Sequence, residues 1–466
     1  MLAAGSAVFG TAACGPFAKT TPKTGTAANT RSYHSRPDLS VPIVTTTDGL
    51  AGAAAGLIFV APGGPMILDG AGTPIWFHPV PGKNVANFRP QFYQGKPVLT
   101  WWEGKVGKGY ALSGELVIAD ASYNAVRRIA AGNGYQADLH EFQLTSRNSV
   151  LLTAYHEVPA DLTVVGGPAA GSALDGIMQE IDLASGKVVF EWHSLEQVPL
   201  SESHAGYVKG QPYDYFHINS IEVDEDDNLL VSARNTWAVY KIDRSSGNVL
   251  WRMGGRKSDF AMGPNTTFAW QHDARRQADG TITLFDDGAA PKVEAKSRAL
   301  VLNVDEAAKT VSLKMAYTHA NTLATSQGNM QVLSNGNVFV GWGSEPYFTE
   351  FNKAGRVVLD GTFAGTFQSY RAFRLPWSGT PAEKPAIAAL REGDAITIYA
   401  SWNGATEASR WQVIGGPDTS SFEPLGSAKR TGFETPIKIA AAPAYVAVQA
   451  LDASGAVLAT SAMTSL

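Results

Sequence analysis

At 466 residues, with 44% hydrophobic and 17% charged side chains, the chain can bury one large core and a smaller one, which excludes a disordered or fibrous protein. Thirty-seven Lys and Arg against 42 Asp and Glu leave a net charge of −5 and no basic run, so nucleic acid is not expected as a partner. Forty-seven Gly and 25 Pro beside 20 Phe, 15 Tyr and 11 Trp favour short strands and tight turns, hence an all-β fold.

The first element is the small, apolar run LAAGSAVFGTAAC ending at Cys14, the only cysteine. Residues 1–14 read as a lipoprotein-type signal with Cys14 as the acylated residue, which predicts an extracytoplasmic protein touching a membrane only through that anchor. One cysteine also excludes an intrachain disulfide and a multi-cysteine metal site. Residues 15–38, rich in Thr, Ala, Lys and Ser, read as a flexible linker.

From 39 to 377 one pattern recurs about every 57 residues. An Asp- or Asn-led turn enters a β-type run at Asp69, Asp120, Asp182, Asp243, Asp305 and Asn352. A second series interleaves with it: LIFVAP (57–62), PVLTWW (97–102), VLLTAY (150–155), LLVSAR (229–234), ITLFDD (282–287) and VFVGWG (338–343). Four strands per unit, six times over, predict a six-bladed β-propeller closed by YRAFRLPW at 370–377. Residues 383–466 carry ITIYASW, RWQVIG, TPIKIA, YVAVQAL and VLATSA, the spacing of a small immunoglobulin- or fibronectin-like β-sandwich.

In such a ring the start of each innermost strand and the end of the next share a face beside the axis. Aligning the units places His140, Asn219, His272 and Asn329 at equivalent points, with His217 on the same side of its strand as Asn219. Tyr155, Arg234, Asp286 and Asp287 return to that rim. Imidazoles, an amide and a guanidinium suit transfer of an anion: a neutral imidazole is a nucleophile, and Arg offers paired donors to a tetrahedral oxyanion. Zinc or copper held by the same histidines is the competing reading; the nearby Arg234 and the lack of a close His pair count against it.

Trp101, Trp102 and Glu103 offer an aromatic platform with a carboxylate for a phenol, or simply pack the sheet. Trp237 and Tyr240 read as core, and Asp224 to Asp227 as a solvated turn. The paired glycines of WRMGG and GGPMILDG do not make a phosphate cradle, so no nucleotide cofactor is expected.

The motifs DLHEFQLT, YDYFHINSIEVDEDDNLLVSARNTWAVYKID, WRMGGRKSDF and FAWQHDARR with GTITLFDDGA resemble the arylsulfotransferase family, in its actinobacterial and fungal branch. The similarity runs from about 34 to 377, and ASWNGATEASRW is similar to the C-terminal module of that branch. The resemblance implies a propeller enzyme that moves a sulfuryl group from an aryl sulfate ester to a phenol, without a nucleotide carrier or other cofactor, by a ping-pong route through a sulfated histidine. It assigns His272 as nucleophile, His217, Asn219 and Arg234 to the sulfate oxygens and the developing charge, and His140 to acid/base work. Asp287 departs from the Asn that relatives often carry, adding negative charge near an anionic donor. Two other classes fit the residues: a non-catalytic propeller binding an aryl or glycan ligand at the cell envelope, and a cofactor-dependent oxidoreductase on a Trp-rich propeller.

Overall fold

The computed structural model describes residues 28–47, 51–392, 395–440 and 443–466; residues 1–14, with Cys14, and the linker as far as 27 lie outside them. The protein is all-β, and among the described residues its helices are single turns at Thr163–Val165, Ser194–Gln197 and Leu200–Glu202. Among the described residues no helix is long and apolar enough to cross a membrane.

Six sheets follow one another along the chain, antiparallel except where Ala261–Met262 pairs parallel with Thr310–Tyr317 in the fifth. The first takes Leu57–Val60, Met66–Leu68 and Pro74–Phe77 and receives Phe373–Leu375 from the far end of the circuit. The second runs from Asn84–Tyr93 to Ala125–Ile129, the third from Phe142–Leu144 to Val188–His193, and the fourth from Ile218–Val223 to Val249–Gly254. The fifth starts at His272–Arg276 and the sixth at Asn329–Val332. Each second strand coincides with one member of the LIFVAP-type series, and each Asp- or Asn-led turn joins the third strand to the fourth. In those turns the side-chain oxygen accepts backbone N–H groups, as Asp69 does from Ala71 and Thr73 and Asn352 from Ala354 and Arg356, which is why these positions select Asp or Asn.

The first strands of neighbouring sheets lie side by side without a ladder between them, so their inner edges need other partners. Side chains supply these. Asn219 Oδ1 accepts from Asp273 N–H, Ser220 Oγ from Ala274 N–H and Glu222 Oε2 from Arg276 N–H, binding the fourth sheet to the fifth. Asn329 and Gln331 hold Ala372 and Arg374 in the same way across the closure from sixth sheet to first.

Arg371, fully buried just before the closing strand, donates to Asn87 Oδ1 and to the carbonyls of His140 and Asn219, and pairs with Glu141 and Asp273. One side chain from the end of the circuit thereby touches the second to fifth sheets. Asp224, read as part of a solvated turn, is instead buried between Arg276 and Lys241.

Beyond 383, strands Ala386–Glu392, Ala395–Ser401 and Glu434–Ile439 form one sheet and Arg410–Gly416 with its neighbours another, and Ile398, Trp411, Val413 and Val448 share a single core. This module docks on the first sheet: Asn403 pairs with both the N–H and the carbonyl of Phe77, and Tyr123, stacked on Trp76, donates to Gly404 O. Residues 28–38, assigned from composition to a flexible linker, are packed. Tyr33 lies 4.4 Å from Phe433, Ser35 donates to Glu434, and Thr30–Arg31 pairs with Val41–Pro42. Composition missed the apolar and acceptor partners that the C-terminal module brings to this stretch.

Candidate active site

Five of the six innermost strands present a polar or aromatic group at the same end of the circuit. His140 precedes the third sheet, His217 the fourth, His272 opens the fifth, Gln327 precedes the sixth and Tyr370 the first. All are buried. His140 and His217 meet edge to face at 4.8 Å, with the half-buried Tyr155 ring 5.7 and 5.8 Å from them. Tyr370 stands edge-on to both His140, at 5.8 Å, and His272, at 6.4 Å, and so links the histidines.

Each imidazole is held through Nδ1 by a carboxylate: His140 by Asp138, His217 by Asp214 at 2.5 Å, and His272 by Asp287 at 2.7 Å. A carboxylate at Nδ1 keeps the proton there and leaves Nε2 as the chemically available nitrogen. Nε2 of His272 accepts a 3.2 Å hydrogen bond from Gln327 N–H. That amide reaches the ring because Gly343 packs against 326–328, where an added Cβ would fall 2.4 Å from Ser326 O.

The carboxylates differ electrostatically. Burial opposes the charge of Asp138, but the His140 charge and hydrogen bonds outweigh it and hold it below the usual range. Asp287 is pushed up to about 7, chiefly by burial, with His272 and Arg234 pulling the other way. Its Oδ1 has no hydrogen-bond partner among the described residues.

Arg234 is buried over the face of Trp270, 4.8 Å from the ring centre, and donates to Asn235 Oδ1 and Thr325 O. Its Nε is buried and without a hydrogen-bond partner among the described residues. The backbone around the site is strained: His217, Trp237, Trp270 and Gln327 all have φ between +53° and +71°, a region bulky side chains avoid and functional sites retain.

Of the residues expected from sequence, the structure brings together His140, His217, His272, Arg234, Tyr155 and Asp287. Asn219 and Asn329 sit beside them, but their amides are spent on the next strand: Asn219 Nδ2 donates to Gln271 O and Asn329 Nδ2 to Ala372 O. Asn219 and His272, aligned in the sequence, both lie at a bulge of their inner strand: Asn219 falls between the pairs Ile218–Ala233 and Ser220–Ser232, whereas His272 itself faces Phe285 before its bulge.

Asp286 faces away from the site, held by Ala269 N–H and by Nε and Nη2 of Arg298. Trp101, Trp102 and Glu103 do not make a platform there. Trp101 donates to Glu103, which also binds Lys83 and Arg128, and Trp102 donates to Ala137 O within the layer between second and third sheets. Asp287 is not a bare charge opposing an anionic donor, because it is spent on His272. The sequence reading passed over Asp138, Asp214, Gln327, Tyr370 and Arg371; the short spacings DLH and DYFH were the available signal for the first two.

No group of three or more His, Cys, Asp or Glu side chains among the described residues is arranged to hold a metal ion.

The all-β scaffold thus carries three carboxylate-supported imidazoles and a buried arginine at one place. The chain belongs to the arylsulfotransferase (ASST) family, whose sequence model matches residues 89–364, more than half of its length. No curated protein matches it significantly.

Among solved structures, a protein of unknown function from Bacteroides caccae is similar at 11% identity and a TM-score of 0.42, covering 68% of this chain and 98% of that one. One from Dyadobacter fermentans, also of unknown function, is similar at 10% and 0.38, covering 70% and 92%. Virginiamycin B lyase from Staphylococcus aureus is similar at 10% and 0.26, covering 70% and 83%. Scores this low leave fold detail and function to the chain's own residues.

Proposed function

We propose that the protein transfers a sulfuryl group from an aryl sulfate ester to a phenolic acceptor through a covalent intermediate on His272. The observation that carries this is the Asp287–His272 pair, its Nδ1 locked at 2.7 Å, set in a family that handles aryl sulfates. Nε2 attacks sulfur, the S–O bond to the aryl oxygen breaks and the phenolate leaves. The sulfated imidazole carries positive charge on the Nδ1–H side, which the Asp287 carboxylate offsets. The acceptor phenol, losing its proton, then attacks sulfur and the N–S bond breaks.

Arg234 supplies charge toward the sulfuryl oxygens through its unpartnered Nε, and Gln327 N–H, releasing Nε2 as sulfur approaches, is placed to become a donor to one of them. His140 and His217 manage the proton on the phenolic oxygens. Asn219 acts by holding the 271–273 backbone.

In this reading the six consecutive sheets, closed on the first by strand 373–375, are the blades of a six-bladed β-propeller over 39–377, and 383–466 is a β-sandwich. The protein acts outside the cytoplasm, anchored through Cys14.

Release of phenol from 4-nitrophenyl sulfate with and without an added phenol tests the reaction. Acceptor-dependent release that vanishes in His272→Ala, with a sulfo group found on the His272 peptide when donor is given alone, is the expected result. Folded protein that releases no phenol from a range of aryl sulfates overturns it and favours a binding protein.

A further inference from the structure

Resting on the sulfuryl-transfer reading, we infer that Trp237 and His204 form a subsite for the far end of the aryl substrate. It selects rings that carry a hydrogen-bond-accepting group remote from the reacting oxygen.

A continuous series of ring contacts leads outward from Arg234. The guanidinium covers Trp270, Trp270 meets Trp237 edge to face at 5.1 Å, and Trp237 stacks on His204 at 3.7 Å with 5° between the planes. The series runs from the buried arginine to two half-buried rings, Trp237 and His204. Aromatic surface of this kind, starting where the sulfate is to be held, matches a flat substrate that enters with its charged end inward.

The outer end of the series holds two buried polar atoms without hydrogen-bond partners among the described residues, Trp237 Nε1 and His204 Nε2. Buried indole N–H groups ordinarily find an acceptor: Trp102 has Ala137 O, Trp270 has Pro291 O and Trp342 has Thr349 Oγ1. A buried donor left unmet is destabilising, so the position points to a partner that arrives with the ligand.

Trp237 at φ +53° closes the turn in which its N–H donates to Arg234 O, and Trp270 at φ +61° precedes its inner strand as His217 and Gln327 do theirs, so both rings are fixed by backbone the fold repeats. His204 is anchored through its own N–H to Asn235 O, and Asn235 also accepts from Arg234, so the subsite and the sulfate donor share one support. Burial beside Arg256 lowers His204 to about 4, which favours its neutral ring; the indole N–H of Trp237 is a donor whatever tautomer that ring adopts.

The test compares 4-nitrophenyl sulfate, with a remote acceptor, and phenyl sulfate, without one, in wild type, Trp237→Phe and His204→Phe; both substitutions keep an aromatic ring in the stack. Expected is a rise of about tenfold in KM for 4-nitrophenyl sulfate in Trp237→Phe with kcat little changed, and no rise for phenyl sulfate. His204→Phe shifts the same preference in the same direction. Equal KM changes for both esters, or none for either, in folded variants overturn the subsite while leaving the transferase reading intact. If wild type turns over neither ester, the transferase reading fails. Calorimetric titration with 4-nitrophenol against phenol then decides the subsite: tighter binding of 4-nitrophenol that is lost in Trp237→Phe sustains it, and equal or absent binding overturns it.

Discussion

Asp287 Oδ2 lies 2.7 Å from Nδ1 of His272, and both side chains are closed off from solvent. The contact fixes which imidazole nitrogen carries the proton, and in the proposed mechanism it sets a negative charge beside a ring that becomes cationic when sulfated. Asp287→Asn keeps the shape and loses both effects, so kcat is expected to fall on the order of 10³–10⁴, the size seen when a buried carboxylate partner of a catalytic imidazole becomes an amide. Because Asp287 is raised to about 7, its charged form fills in as pH rises through that value. The wild-type rate is therefore expected to climb across pH 6–8, and the variant to lack that limb. An unchanged pH–rate profile in Asp287→Asn would remove the carboxylate from the mechanism.

Asn219 tests the difference between touching substrate and holding the frame. Its amide bridges Gln271 O and Asp273 N–H on either side of His272. Asn219→Asp sets a carboxylate oxygen against a carbonyl oxygen, and is expected to cost about 1–3 kcal/mol of stability and to lower kcat with KM for the aryl sulfate little changed. Thermal melts and steady-state kinetics on one preparation check this; a selective rise in KM would return Asn219 to the sulfate.

Much of this arrangement was legible in the chain because its units repeat. Periodicity located all six second strands and all six Asx-led turns, since an Asp or Asn oxygen is needed wherever the third strand turns into the fourth. The histidines were legible for the same reason, lying at the starts of innermost strands. The one-residue bulge at Asn219 was not, because a bulge changes register without changing composition. Arg371 was also invisible: its five partners come from four sheets spread over 186 residues of sequence, from Asn87 to Asp273, and nothing local marks a residue that acts only once the circuit closes.

Arg371 is therefore expected to matter to the whole fold. Arg371→Met leaves Asn87 Oδ1 and the carbonyls of His140 and Asn219 without their donor in a dry interior, at a cost of about 3–5 kcal/mol. Arg371→Lys restores charge but not the planar fork, and is expected to recover only part of the loss. Thermal unfolding of the three proteins at one protein concentration gives the order wild type, Lys, Met; a lysine variant as stable as wild type would show that charge alone suffices.

Glu103 separates a structural network from a substrate platform. Burial works to raise its carboxyl, yet Lys83, Trp101 and Arg128 together hold it at about 2 against an ordinary 4.5. A group depressed in the folded state contributes its full stability above the unfolded value and loses it as pH falls toward the folded one. Wild type is thus expected to lose stability between pH 4.5 and 2 in part through Glu103. Glu103→Gln starts lower at pH 7, by about 2 kcal/mol, and has a shallower acid slope over the same window. Because Glu103 and Trp101 are committed to each other and to two cations, KM and kcat for aryl sulfates at pH 7 are expected to stay within twofold of wild type while the melting temperature falls. Denaturant titrations at pH 7 and pH 3 together with steady-state kinetics read both quantities; a raised KM at unchanged stability would place Glu103 against the phenol after all.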